Sequence, residues 1–173
     1  MNGAPDFIEP VRGWRIWQAV RRRNELYLKS LFFRVPWPSR EPLEATCHMW
    51  RPPWRRQPVH GAPAETCRCG IYAADLGTVV EYLSPYPPRG EWPVIGRVLL
   101  WGSVVECTDG WRASSAYPEA LYVPASPTRS RSDAAAVAAG LERRYEVPVE
   151  LIEPWRPKDV ARTIAAAQPS LMR

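Results

Sequence analysis

Apolar and polar positions alternate along much of this chain and switch to a helical period in only a few short stretches, which predicts an α+β protein. In Gly13–Val20 the apolar residues Trp14, Ile16 and Val20 share one side of an extended backbone, so this segment is expected to be a strand. Arg21–Glu25 reads as a polar turn and Leu26–Phe33 as the returning strand, giving a β-hairpin with a basic tip. Pro36, Pro38 and Pro42 then interrupt regular structure, because each removes a backbone donor and fixes φ. Leu43–Cys47 is one more short strand, and residues 48–66 form a long Pro/Trp/Arg loop. Beyond it, Gly70–Ala74 reads as a buried strand. Asp75 is placed to cap a short helix from Leu76 to Leu83, which Gly77 weakens.

The clearest extended segment is Val94–Cys107, where Gly96 and Gly102 stand six residues apart among β-branched and aromatic residues and mark bends or bulges. Thr108-Asp109-Gly110 supplies a turn and Trp111–Tyr117 returns, with Trp101 and Trp111 expected as buried cross-strand partners. Trp14 is assigned to the core on the same grounds. Pro118 is expected to stop the returning strand, and Leu121–Val123 to form a further short one. Ser132 reads as the N-cap of a helix over Asp133–Tyr145, with Val137, Leu141 and Tyr145 stacked on one face. Val147–Ile152 follows as a strand that Pro148 assigns to a sheet edge, and Pro157 opens a last helix through about Ala167. Together these elements predict one domain over residues 1–173, with flexible ends at 1–11 and 168–173. Its expected architecture is a curved, mostly antiparallel sheet or small β-barrel flanked by two or three helices.

The bent strands of Val94–Val123 and the helix beside them are similar to the small barrel RNA- and DNA-reading modules of the PUA and ASCH type. This resemblance covers about 30 residues without a diagnostic motif. It implies a barrel and a nucleic-acid partner, and carries over no binding residue.

Composition narrows the classes. Hydrophobic residues make up 46% of the chain, yet no apolar run approaches the length of a membrane-spanning helix. The start, Met1-Asn2-Gly3-Ala4-Pro5-Asp6, has neither the basic nor the apolar region of a signal peptide, so a cytoplasmic protein with reduced thiols is expected. Arginine supplies almost all the basic charge, Lys29 and Lys158 being the only lysines, a bias that fits a GC-rich bacterial genome. The formal net charge of +5 is unevenly spread. Residues 1–69 carry 12 basic and 6 acidic side chains, whereas 70–173 are nearly balanced. That asymmetry suits either an anionic partner or a solvated basic face.

The candidate chemistry lies between Cys47 and Gly70, where three of the four cysteines and both histidines occur. If Cys67-Arg68-Cys69 is extended, its two thiols face one side and Arg68 the other. Cys47 and His60 then complete a three-Cys, one-His set of the kind zinc favours, with His48 as the competitor for the fourth place. The competing readings are reduced packing thiols, a redox pair and a catalytic thiolate. Trp50 and Trp54 alternate with Arg51, Arg55 and Arg56, as in single-strand nucleic-acid binders that stack bases while contacting phosphates. With Arg21, Arg22 and Arg23 at the hairpin tip, they form the expected nucleic-acid face. A structural zinc and a non-enzymatic, nucleic-acid-binding domain are therefore the first expectation. A protein-interaction or scaffold module with the same zinc is the second. A thiol- or metal-dependent enzyme comes third, since Glu65 is the sole carboxylate in the stretch and no phosphate-binding loop or H-E-x-x-H occurs. Cys107 reads as a core thiol.

Overall fold

The computed structural model describes residues 9–23, 25–32, 35–47, 60–84, 87–125, 130–153 and 155–167. Along the chain run β1 (Val11–Arg22), β2 (Glu25–Ser30), β3 (Leu43–Glu44), β4 (Ile71–Ala73), α1 (Leu76–Val80), β5 (Glu91–Cys107), β6 (Gly110–Pro124), α2 (Arg131–Tyr145), β7 (Val149–Ile152) and α3 (Pro157–Ala167). The seven strands form one sheet in which β2, β1, β5 and β6 lie side by side. All pairings are antiparallel except β6 with β7, so the sheet is mixed. It is open, which corrects the barrel alternative. A single bridge, Trp14 with Ala74, ties the start of β1 to the residue after β4 without extending into a ladder.

β6 explains the arrangement of the short strands. It spans 15 residues, and the edge facing away from β5 is covered in three pieces. β4 pairs with Trp111–Ala113, β3 with Ser115 and Ala116, and β7 with Leu121–Pro124. No one of these short strands supplies the hydrogen bonds that so long an edge demands, but together they cover most of it, leaving a gap at residues 117–120. Pro118 does not stop the strand, contrary to the sequence expectation. It faces Val98 beside a register shift that leaves Glu119 as an extra residue, and it falls between the β3 and β7 pairings, where its missing donor matters least. The second irregularity in the β5–β6 ladder lies between Trp101 and Val104, around Gly102, whose φ of +72° is accessible chiefly to glycine.

The sheet is buried on both faces. Trp17, Leu28, Val94, Val98, Leu121 and Val123 pack with Val137, Leu141 and Tyr145 of α2 on one side. Ile16, Ile95, Ala120 and Tyr122 pack with Leu76, Val79 and Val80 of α1 and with Val160 and Ile164 of α3 on the other. The i, i+4, i+8 face of α2 is therefore the core face, as its spacing predicts. Its N-cap is Ser130, whose hydroxyl accepts from the Asp133 amide at 3.1 Å, rather than Ser132. Asp75 caps α1 as expected.

The tryptophan assignments need correction. Trp14, Trp101 and Trp111 are only half-buried, and among the described residues the fully enclosed indoles are Trp17 and Trp37, stacked edge to face at 5.2 Å. Trp101 faces Ser115 and Trp111 faces Glu106, so the two are not cross-strand partners. A strand covered on both faces gives no clean alternation, which hides the second buried face from a period-two reading. Among the described residues no helix is long and apolar enough to cross a membrane.

Candidate metal centre

The register on β6 brings the cysteines together. Glu44 pairs with Ser115 and the Ala45 amide continues to Ser114 O at 2.7 Å, so the chain leaves the sheet beside residue 114. It returns with Ile71 opposite Ala113. The excursion thus departs from and rejoins neighbouring points on one strand edge. Cys47 lies two residues past Ala45, and Cys69 two residues before Ile71. Their proximity follows from strand pairing alone.

One ligand atom from each of Cys47, His60, Cys67 and Cys69 lies within 4.8 Å of all the others. These residues could hold a metal ion. Cys47 Sγ and Cys67 Sγ are 3.7 Å apart. Two sulfurs bound at about 2.3 Å to one tetrahedral ion are about 3.8 Å apart, so this edge has the dimension a metal requires. His60 Nδ1 is 2.8 Å from Gly61 O and 3.9 Å from Cys69 Sγ. A carbonyl only accepts, so Nδ1 carries the proton and donates, leaving the lone pair on Nε2. Nε2 is buried and has no hydrogen-bond partner. A ligating histidine characteristically has one ring N–H fixed by a backbone carbonyl and the other nitrogen free for an ion. His48 lies outside the described residues.

The C-x-C segment is not part of a strand, as β4 begins only at Ile71. A turn closed by the Cys67 amide to Ala64 O, 3.1 Å, presents the two thiols instead. Burial raises the Cys67 pKa, but the Cys69 amide and thiol, the Cys47 thiol and the Arg68 amide outweigh it and hold the group below an ordinary thiol. Cys69 is displaced upward, first by burial and then by the neighbouring sulfurs, whose combined charge would accumulate on full ionisation. Three thiols so placed resist simultaneous ionisation without a cation among them.

Two further residues build the site. Arg112 on β6 is buried, and its Nη1 donates to Cys69 O at 3.1 Å, to Ala64 O at 3.4 Å and to Cys67 O. Its Nε donates to Cys107 Sγ at 3.2 Å. Cys107 is therefore half-buried and engaged by Arg112, not a core thiol. Gly70 has a φ of +121°, and a Cβ there would sit 3.0 Å from Pro63 Cβ and 3.1 Å from Arg112 Cβ, so only glycine lets the loop pass between them. Neither residue stands out in the sequence as a functional one. The available signal was an arginine set between the apolar Trp111 and Ala113 of a strand. Arg15 secures β4 from the other side, its Nη1 donating to Tyr72 O while the guanidinium lies 5.3 Å from the Trp37 ring.

Of the expected nucleic-acid face, Arg21, Arg22 and Arg23 are exposed together at the β1–β2 tip. Trp50, Arg51, Trp54, Arg55 and Arg56 lie outside the described residues. Glu65 is exposed and is not among the clustered donors. No protein-family model, no curated protein and no solved structure matches this chain.

Proposed function

We propose that Cys47, His60, Cys67 and Cys69 bind one zinc ion with a structural, non-enzymatic role, stapling both ends of the 46–70 excursion to the β6 edge. The observation that carries this reading is the gathering of three thiols and an imidazole within 4.8 Å of one another, with the Nε2 of His60 buried and unpartnered. Zinc suits three thiolates and an imidazole better than the hard cations do. Four protein donors also leave no coordination position open for a substrate, which favours a staple over a reaction centre. Three thiolates around a divalent ion leave one excess negative charge, and the Arg112 guanidinium offsets it. Metal analysis of the purified chain should return about one zinc per molecule, lost in Cys67→Ser and His60→Ala but retained in Cys107→Ser. A metal-free protein with all four thiols reactive, or equal metal content in the three variants, would overturn the assignment.

A second reading, in which the stapled domain binds nucleic acid through its basic side, draws on the exposed Arg21-Arg22-Arg23 tip. It requires binding to single- or double-stranded oligonucleotides that weakens steeply with salt, because each phosphate contact releases a counterion. No binding at low salt would leave a protein-interaction or scaffold module as the role of the stapled domain.

A further inference from the structure

A cleft of about 380 Å³ opens between the β1–β2 hairpin tip, the turn at residues 39–40 and the C-terminal half of α2. Arg21, Arg40, Arg143 and Arg144 line it, drawn from three separate segments, against one carboxylate, Glu25. Arg144 Nη1 pairs with Glu25 at 3.1 Å, and Arg40 pairs with Glu146 at 2.7 Å. Arg21 and Arg143 make no ion pair among the described residues.

The helix alone does not account for this convergence. Arg143 and Arg144 complement the carbonyl end of α2, as basic residues in a last turn do. Arg21 and Arg40 come from elsewhere, and although Arg40 is paired with Glu146, Arg21 adds like charge to the concavity beside Arg143, at a cost that a bound anion removes. The wall is also built rather than draped. Arg40 has a φ of +65°, and its amide donates to Tyr117 Oη at 2.8 Å. That hydroxyl donates in turn to Tyr145 O at 2.9 Å, at the end of the helix that supplies the other two arginines. A non-glycine residue in this region persists where its surroundings over-determine it, a condition concentrated at ligand sites.

The lining also indicates the kind of ligand. Guanidinium forks match phosphate oxygens in pairs, and several of them suit a dianion. Among the described residues lining the cleft there is no aromatic ring on which a base could stack, which disfavours a nucleic-acid strand. Ser39 and Glu25 offer polar groups for ligand hydroxyls, and the volume suits a small molecule. We propose that this cleft binds a small phosphate monoester of sugar-phosphate size, with the phosphate between Arg21, Arg40 and Arg143. The site is independent of the zinc staple.

The test is calorimetric titration of the full chain with glucose 6-phosphate, inorganic phosphate, glucose and a single-stranded oligonucleotide, at low and physiological salt. Saturable one-to-one binding of the sugar phosphate, weaker binding of phosphate and none of glucose are expected. Arg21→Ala and Arg143→Ala should each weaken binding about tenfold or more. Arg22→Ala, one residue along the strand and facing away from the cleft, should change it less than about threefold. Equal melting temperatures and metal content across the variants keep folding out of the comparison. The proposal fails if no phosphate ester binds saturably. It fails equally if Arg22→Ala costs as much as Arg21→Ala, or if only the oligonucleotide binds and the ester does not compete.

Discussion

Arg112 on β6 reaches across to the thiol loop and donates to Cys69 O at 3.1 Å, so one guanidinium in the sheet fixes the backbone that presents two of the four candidate ligands. The same group donates to Cys107 Sγ on β5 at 3.2 Å. It is 7% exposed, and among the described residues the partners of its Nε and Nη1 are a thiol and three carbonyls, with no carboxylate. Burial by itself lowers its pKa, but the Cys107 sulfur and the charges of Cys107, Tyr72 and Cys69 outweigh this and raise it.

Arg112→Met should therefore act on fold and site together. Loss of the buried donors leaves loop carbonyls unsatisfied and should cost about 1.5–3 kcal/mol in denaturant unfolding. Zinc affinity, measured by competition with a chromophoric chelator, should fall about 10- to 100-fold, as when a supporting group behind metal ligands is removed. A variant with parental stability and affinity would show that Arg112 does not organise the loop.

Gly70→Ala tests the same loop through its backbone. A side chain at φ +121° meets both Pro63 and Arg112, so the substitution should destabilise by about 1–3 kcal/mol, read as a lower melting temperature, and should weaken zinc binding in parallel. Gly61→Ala, where among the described residues no atom beyond its chain neighbours lies within 4 Å of the added Cβ, is the matched control and should have little effect.

Tyr145→Phe addresses the junction of α2 with the β1–β2 hairpin. The Tyr145 hydroxyl accepts from the Leu28 amide at 2.8 Å and donates to Trp37 O at 3.0 Å, in a residue only 1% exposed. Removing it strands a buried donor and a buried acceptor, for an expected loss of about 1–3 kcal/mol in urea unfolding. Metal content should not change, because the junction lies apart from the thiol loop.

Asp75 carries a pH-dependent contribution. Its carboxylate accepts from the Thr78 amide at 2.9 Å, and that bond, against the opposing effect of burial, holds its pKa below the ordinary aspartate value. A depressed folded-state pKa means that the stabilisation is present above the unfolded value near pH ~4 and is lost as the pH falls through the folded one. The group is exposed, so solvent screening keeps the effect small. Asp75→Ala should cost about 0.5–1 kcal/mol at pH 7, and the difference from the parent should shrink towards pH ~3. Taking the difference between the two proteins at each pH cancels acid release of metal common to both.

Much of the strand and helix order is written locally. The alternation of Trp14, Ile16 and Val20, the Asp75 cap and the 137–141–145 stripe are each set by neighbours within a few residues, and each element forms where its pattern places it. The same holds for the residue types of the candidate site, because soft ligands crowded into 23 residues are visible without a fold. What they do together is decided at a distance. The meeting of Cys47 with Cys67 depends on β3 and β4 occupying adjacent stretches of β6, a choice made by the unpaired edge of a strand that lies some 40 residues or more further along the chain. Pro118 reads as a stop because proline lacks a donor, yet β6 continues past it because a bulge and a gap between edge partners make that donor unnecessary. The roles of Arg112 and of the arginine cleft are likewise invisible in sequence. A guanidinium's function is set by which carbonyls and charges tertiary packing puts around it, and here those come from segments separated by up to about 120 residues.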